Sequence, residues 1–364
     1  MSSLKSRGGL GVVRVGVDVG GTKIAIGAAK IGSRVLEERV TVPASTEEIA
    51  LPVESLEKRE AFIKRLAGEI FSVMLLCKQR GYRIDGAIGV GSPGNIQDGV
   101  ILPKTAPQLG EVFDHFNLAK GLALQLDAVV SANDFWEWVE YPCERHFTVI
   151  ARNDALAQMA FAVSELWKDR SFEVMIARAH HPRIAYIGPG TGLGGGFAEV
   201  EKERKLKFFT DGHIGDIIMG RDEAGRALWA ERDFLSGMYI EKKMNGLSGK
   251  ELAQSIPLYA EFIRELGVNL GKIIEKIHLG EVYKARATTL WSDLDRQMVK
   301  GIEIFIIGGS IGSKGRMGEI IREEAKRYLD NVQGKISGNM HLIPVPTDAE
   351  DAGVLGAISF ISLS

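Results

Sequence analysis

Two glycine-rich turns are the parts of this sequence best placed to do chemistry. Gly20-Gly21 lies within Asp18-Val19-Gly20-Gly21-Thr22-Lys23, and a second run covers Gly190-Thr191-Gly192-Leu193-Gly194-Gly195-Gly196. In such turns successive backbone N–H groups form anion-binding nests, and glycine lets a phosphate approach without a side chain in the way. Asp18 adds a carboxylate able to face Mg2+, Thr22 a hydroxyl and Lys23 an ammonium. The plainer reading of the same hexapeptide is a hairpin turn with a solvated lysine. Two stretches match a dinucleotide fingerprint by letter, Gly89/Gly91/Gly94 and Gly190/Gly192/Gly195. Both are rejected, because that turn must enter a helix whose N-terminus meets the pyrophosphate. Here Pro93 interrupts the first, and strand-like Phe197 to Val200 follows the second. No G-x-x-x-x-G-K-[ST] run occurs.

Hydrophobic spacing predicts the elements that hold these turns. Val12 to Lys30 alternates on both sides of Gly20-Gly21, as two strands joined by a tight turn do. Phe62, Ile63, Leu66, Ile70, Val73, Met74 and Cys77 recur every three or four residues and predict an amphipathic helix closed by Gly81. Ala87 to Gly91 reads as a buried strand entering a Ser92-Pro93-Gly94 turn. Phe147 to Ala151 reads as another strand, ending at Asn153-Asp154, residue types that favour helix starts, before a helix over Ala155 to Trp167. The second half repeats the plan. Strands over Ile184 to Ile187 and Phe197 to Val200 flank the second glycine run, and a long helix covers Tyr259 to Ile277. A buried strand over Ile302 to Ile307 then enters Gly308-Gly309 and a helix from Met317 to Leu329. Each half opens strand, glycine turn, strand, which predicts an α/β protein of two related domains around a central cleft. The expected boundaries are 1–153, joined by a returning C-terminal helix within 347–364, and 154–346.

Composition agrees with that scale and narrows the partners. A chain of 364 residues has room for two domains, and 45% hydrophobic with 25% charged residues is the balance of a soluble globular protein. Lys and Arg number 45 against 47 Asp and Glu, so no electrostatic footprint for nucleic acid or an anionic membrane surface is expected. Only Cys77 and Cys143 occur, which excludes a disulfide scaffold and a cysteine-rich zinc site and fits a reducing cytosol. The first residues, with Lys5, Arg7 and Arg14, do not read as a signal peptide, and no apolar run reaches the ~20 residues of a membrane span. A cytoplasmic protein without a membrane partner is expected. Glycine is the outlier at 43 residues, about 12% against a usual value of roughly 7%, and its clustering marks backbone that turns sharply or approaches a ligand.

Taken in order, these segments resemble the motifs of the ROK sugar kinases, within the hexokinase–actin superfamily. Asp18 to Lys23 resembles the first phosphate motif, Gly91-Ser92-Pro93-Gly94 the G-x-P-G turn, and Asn153-Asp154-Ala155 the Asn-Asp-Ala catalytic motif. Gly190 to Gly196 resembles the second phosphate motif, Gly308-Gly309 the adenosine-side turn, and Ala352-Gly353-Val354-Leu355-Gly356-Ala357 the closing helix. The order is the family's, and the matches span residues 15 to 357. The resemblance implies two ribonuclease-H-like domains of the actin/hexokinase type. It also implies transfer of the γ-phosphoryl group of ATP to a hydroxyl of a hexose, as in a glucokinase or hexokinase.

On that resemblance Asp154 is the general base that takes the hydroxyl proton, kept ionised by its place at a helix start. Capping of that helix is compatible with the role. The same dipeptide at Asn133-Asp134 competes, but Phe135-Trp136-Glu137-Trp138 follows it rather than small residues. Asp18 would hold Mg2+ through water. Gly20, Gly21, Thr22 and Lys23, with Gly190, Thr191 and Gly192, would bind the ATP phosphates, and Gly308 and Gly309 would let the adenosine lie against backbone. Ser92, Pro93, Gly94 and Asn153 would line the sugar side. A homodimer is the family's implication for assembly.

The sequence departs from the family around Gly212-His213-Ile214-Gly215-Asp216-Ile217-Ile218-Met219, its counterpart of G-x-x-G-E-I-G-H. Asp216 replaces the sugar-binding Glu, Met219 replaces the zinc-ligating His, and the cysteines are missing, so no structural zinc is expected. In a shifted register His213 takes the Glu position; otherwise it is a surface-loop histidine. Ser236-Gly237 resembles the family's E-x-x-x-S-G segment, with Arg232 at the acidic position and Glu231 one place off. Residues 131–147, with Trp136, Trp138 and Tyr141, and 280–300 read as insertions, the aromatics more simply as packing than as a cover or a subunit contact. A sugar-responsive repressor is disfavoured, since Asp18 leaves only residues 1–17 for a DNA-binding domain. The alternatives that remain are a non-catalytic sugar sensor and a kinase for an amino sugar or another unusual acceptor.

Overall fold

Strands β1 (Val12–Val19) and β2 (Lys23–Lys30) form a hairpin closed at Gly20-Gly21, and β3 (Glu38–Pro43) extends it. The computed structural model describes residues 10–33, 35–140, 145–179, 182–210, 214–282, 293–312, 315–332, 340–345 and 351–363. Next comes α1 (Leu56–Gln79), whose first turn is capped by the Ser55 side chain accepting from Lys58 N–H and whose end is left at Gly81 with φ 85°. Then follow β4 (Arg83–Ser92), the short pair β5 (Ile96–Gln97) and β6 (Val100–Ile101), α2 (Leu118–Ala132), β7 (Val139–Glu140), β8 (Thr148–Asn153) and α3 (Asp154–Leu166).

The chain continues through α4 (Arg170–Arg178), β9 (Arg183–Pro189), β10 (Leu193–Val200), β11 (Leu206–Thr210), β12 (Ile218–Arg221) and β13 (Ala227–Trp229). Four helices come next: α5 (Ala230–Asp233), α6 (Gly237–Lys243), α7 (Gly249–Gln254) and the long α8 (Ala260–Leu279). The last elements are α9 (Asp293–Val299), β14 (Ile304–Ile307), α10 (Gly309–Gly312), α11 (Gly315–Asn331), β15 (His341–Pro344) and α12 (Ala352–Leu363).

Two compact units divide the chain: residues 1–161 with 349–364, and residues 162–348. In the first, the strand order is β3-β2-β1-β4-β7, with β8 also paired to β4. The first three strands are antiparallel, and β1, β4, β7 and β8 run parallel. In the second the order is β11-β10-β9-β14-β15, again three antiparallel strands followed by parallel ones. The same five-strand plan occurs twice, which is the ribonuclease-H-like topology in both units.

Each sheet is buried by helices whose apolar spacing fits it. In the first unit Phe62, Leu66, Ile70, Val73 and Met74 of α1 join Leu122 and Leu126 of α2 over Val15, Val17 and Ile26. Helix α12 covers β1 and β4 at backbone distance. A side-chain carbon on Gly16 would overlap the Val354 carbonyl, and one on Gly89 the Ala357 carbonyl, so glycine at both positions is what admits the helix. Trp136 and Trp138 pack against the same core, Trp136 stacked on Phe147 with ring centroids 5.3 Å apart; Tyr141 lies outside the described residues. In the second unit Ile263, Leu266, Leu270, Ile273 and Ile277 of α8 pack with Ile321, Ala325 and Leu329 of α11 and with Phe305 and Ile307 of β14.

Candidate active-site clusters

In the first unit, parallel pairing aligns the C-terminal ends of β1, β4 and β8. Asp18 is registered opposite Gly91, and Ser92 opposite Asn153, with Asp154 the next residue along. In open α/β sheets this end of the strands is where ligands bind. The glycine turn follows directly, with Gly20 N–H donating to the Lys23 carbonyl at 2.9 Å and closing it. Gly20 is half-buried, while Gly21, Thr22 and Lys23 are exposed. Gly21 lies against the side chain of Gln108, a neighbour that no sequence pattern had marked.

Asp18 is half-buried, and burial raises its carboxyl above the ordinary value of 3.8, with the Lys23 ammonium pulling in the opposite direction. Asn153 is 8% exposed and holds two chain segments together. Its Nδ2 donates to the Gly94 carbonyl (2.9 Å), and its Oδ1 accepts from Ala155 N–H (2.9 Å). Asp154 opens α3 half-buried, its Oδ1 accepting from the same Ala155 N–H at 2.8 Å. Ser92, Pro93 and Gly94 are buried, and Ser92 has no exposed surface at all. The competing dipeptide Asn133-Asp134 lies past the C-terminal end of α2, both residues exposed, Asp134 in the left-handed region at φ 46°.

The second unit repeats this arrangement with different side chains. Gly190 N–H donates to the Gly192 carbonyl (2.8 Å) and closes the turn between β9 and β10. Gly190, Gly192 and Gly195 thus lead into β10, and Gly89, Gly91 and Gly94 lead toward β5, so neither fingerprint match enters a helix, in accord with rejecting a dinucleotide turn. Gly308 and Gly309 follow β14, the strand paired parallel to β9, and Gly308 N–H donates to the Ile187 carbonyl (2.8 Å). Ser310 Oγ lies 3.9 Å from the position of a side-chain carbon on Gly190, so the two glycine segments are neighbours.

Asp216 ends a short helical turn, Ile214–Asp216, and is half-buried. Gly215 beside it abuts the Leu193 carbonyl and the Glu231 carboxylate, so Asp216 belongs to the same cluster as the second glycine turn. His213 lies outside the described residues. Met219 packs against the apolar core of this unit. Among the described residues no group of three or more His, Cys, Asp or Glu side chains is placed to hold a metal ion. Asp18 nonetheless fits Mg2+, a cation that keeps several waters and takes one or two carboxylates beside substrate phosphates. No described helix is long and apolar enough to cross a membrane.

No protein-family model matches the sequence, and no curated protein is significantly similar to it. Solved structures are similar over nearly the whole chain. The ROK hexokinase from Thermus thermophilus shares 20% identity at a TM-score of 0.57, over 96% of this chain and 97% of that one. A ROK family glucokinase from Streptomyces griseus, solved in complex with glucose and AMPPNP, shares 19% identity at a TM-score of 0.58, over 95% and 98%. A ROK family transcriptional regulator, a homolog of the E. coli MLC protein, shares 15% identity at a TM-score of 0.62, over 98% of this chain and 79% of that one. From β1 through α12, the chain carries the fold of the ROK-family sugar kinases.

Proposed function

We propose that this protein is an ATP-dependent kinase that phosphorylates a sugar hydroxyl. The observation that carries the reading is the strand-end alignment of the first unit, which sets Asp18, the Gly91 to Gly94 turn and Asn153-Asp154 side by side. Phosphoryl transfer asks a protein for positioning, charge neutralisation and a proton acceptor. Asp154 accepts the proton of the sugar hydroxyl as its oxygen bonds to the γ-phosphorus, while the bond from that phosphorus to the bridging oxygen breaks and ADP leaves. Asn153, pinned to Gly94 and Ala155, keeps Asp154 at the head of α3. Asp18 would hold Mg2+ through water, where the ion supplies charge neutralisation for phosphate oxygens. In the second unit the amides of Thr191 and Gly192 would receive phosphate oxygens, and Gly308-Gly309 would lie against the adenosine. Glucose and AMPPNP in the Streptomyces griseus relative support a hexose acceptor and an adenine nucleotide donor.

An ADP-release assay with Mg·ATP against hexoses, N-acetylated amino sugars and polyols tests the proposal. Turnover dependent on one acceptor, and lost in Asp154→Ala, is the expected result. Sugar binding without turnover by any acceptor would instead identify a sensor, a reading that the shortened Asp216 carboxylate favours.

A further inference from the structure

Both ends of the Gly190 to Leu193 turn are held by one short segment, Glu231 to Met238. Gly237 N–H donates to the Gly190 carbonyl (2.7 Å), and Met238 N–H donates to the Thr191 carbonyl (3.2 Å). At the far end Leu193 N–H donates to Glu231 Oε2 (2.7 Å). The segment also braces itself. Ser236, with no exposed surface, donates its hydroxyl to the Glu231 carbonyl (2.7 Å) and accepts from Tyr239 N–H (3.0 Å). Space for the carboxylate depends on two glycines. A side-chain carbon on Gly192 would stand 2.7 Å from Glu231 Oε2, and one on Gly215 would stand 3.0 Å from it.

A trans peptide carries its C=O and N–H on opposite sides. Anchoring the carbonyls of Gly190 and Thr191 to the start of α6 therefore turns the N–H groups of Thr191 and Gly192 away from that helix. Two successive amides aimed to one side make an anion nest. Glycine content permits this turn, and the clip from Glu231 to Met238 decides where its donors point.

We infer that Glu231 and Ser236 are positioning residues for nucleotide phosphates, acting through the Gly190 to Leu193 backbone. The inference rests on the kinase reading above and adds Ser236, which matches the family's S-G pair, and Glu231, which lies one place off its acidic position. It requires Glu231 to work as a hydrogen-bond acceptor for Leu193 N–H rather than as a ligand of the sugar.

The test uses the full chain, Mg·AMPPNP titrated by calorimetry, and steady-state kinetics, on Glu231→Ala, Glu231→Gln and Ser236→Ala. Loss of one charge-assisted hydrogen bond should weaken Mg·AMPPNP binding in Glu231→Ala roughly tenfold. The KM for ATP should rise in parallel, while the KM for the acceptor and kcat stay within about twofold of wild type. Glu231→Gln keeps an acceptor oxygen and should restore most of the affinity. Ser236→Ala should show the same nucleotide-side loss at smaller size, and decides the matter if Glu231→Ala fails to fold. Wild-type nucleotide affinity in Ser236→Ala and Glu231→Ala, or a rise in acceptor KM alone, would overturn the inference. Failure of the wild-type protein itself to bind Mg·AMPPNP would overturn the kinase reading, and this inference with it.

Discussion

Gly353 lies directly against the carboxylate of Asp18. A side-chain carbon built on Gly353 would overlap Oδ2 and Cγ of Asp18, so the second residue of α12 is glycine because an acidic side chain from β1 occupies the space. Gly353→Ala should therefore displace Asp18 or lift the N-terminus of α12 from the sheet. Overpacking of this kind costs about 1–3 kcal/mol. Expected outcomes are a lower melting temperature and a higher Mg2+ concentration for half-maximal turnover. A variant with unchanged Mg2+ dependence would separate Asp18 from the metal.

The raised carboxyl of Asp18 gives a pH-dependent prediction of definite sign. In the unfolded chain the group titrates near its ordinary 3.8, and in the fold burial moves it above that value against the pull of Lys23. Folding thus favours the protonated form. The contribution of this group to stability is full below 3.8 and is lost as pH rises through the raised value, the reverse of a salt-bridged carboxylate. Asp18→Asn removes the desolvated charge and should melt higher than wild type at pH 7, by on the order of 1 kcal/mol, with the gap closing toward acid pH. Metal binding needs the ionised form, so apparent Mg2+ affinity should fall as pH is lowered through the same window. Thermal melts and Mg2+ titrations across pH 4 to 8 check both limbs.

Asp154 and its neighbour should fail in different ways. Asp154→Asn keeps the shape of the helix start but cannot take a proton, so kcat should fall about 10²–10⁴-fold, with Mg·AMPPNP binding preserved. Asn153→Ala strips the Gly94 carbonyl of its buried donor. That costs about 1–3 kcal/mol of stability, because the acceptor is left desolvated and unpaired. Equilibrium unfolding beside turnover distinguishes a chemical loss at Asp154 from a positional one at Asn153.

What the sequence made legible was local. Alternation about Gly20-Gly21 and apolar spacing in α1, α8 and α11 depend on residues close together in the chain, and periodicity reads them directly. What it hid was long-range. Gly89 spells part of a dinucleotide fingerprint, yet its missing side chain serves the backbone of α12, packed from the far end of the chain. Helix α12 has no polar stripe to give it away, since Val354, Leu355, Ala357, Ile358 and Phe360 are all buried; motif resemblance marked it where periodicity could not. Glu231 lies one place off the family's spacing along the chain, yet its carboxylate is matched to Leu193 across the fold. Gln108 sits in a loop with no pattern of its own, and only folding brings it to Gly21.

The Gly308-Gly309 turn, proposed above to lie against the adenosine, offers the last prediction. Tyr186 of β9 is 2% exposed, and its ring fills the space where a side chain on Gly308 would stand. Gly309 follows in the left-handed region at φ 67° and begins α10. A methyl at 308 must push either the Tyr186 ring or the turn, and a ring that is 2% exposed and lies against both Gly188 and Gly308 yields little. Gly308→Ala should cost about 1–3 kcal/mol and weaken Mg·AMPPNP binding, because the turn is the freer of the two to shift. Tyr186→Leu creates room, so the double variant should be less damaged than the sum of the singles. In a double-mutant cycle on unfolding free energy, contacting residues couple by about 0.5–3 kcal/mol. Strict additivity would mean that Tyr186 does not set the position of Gly308.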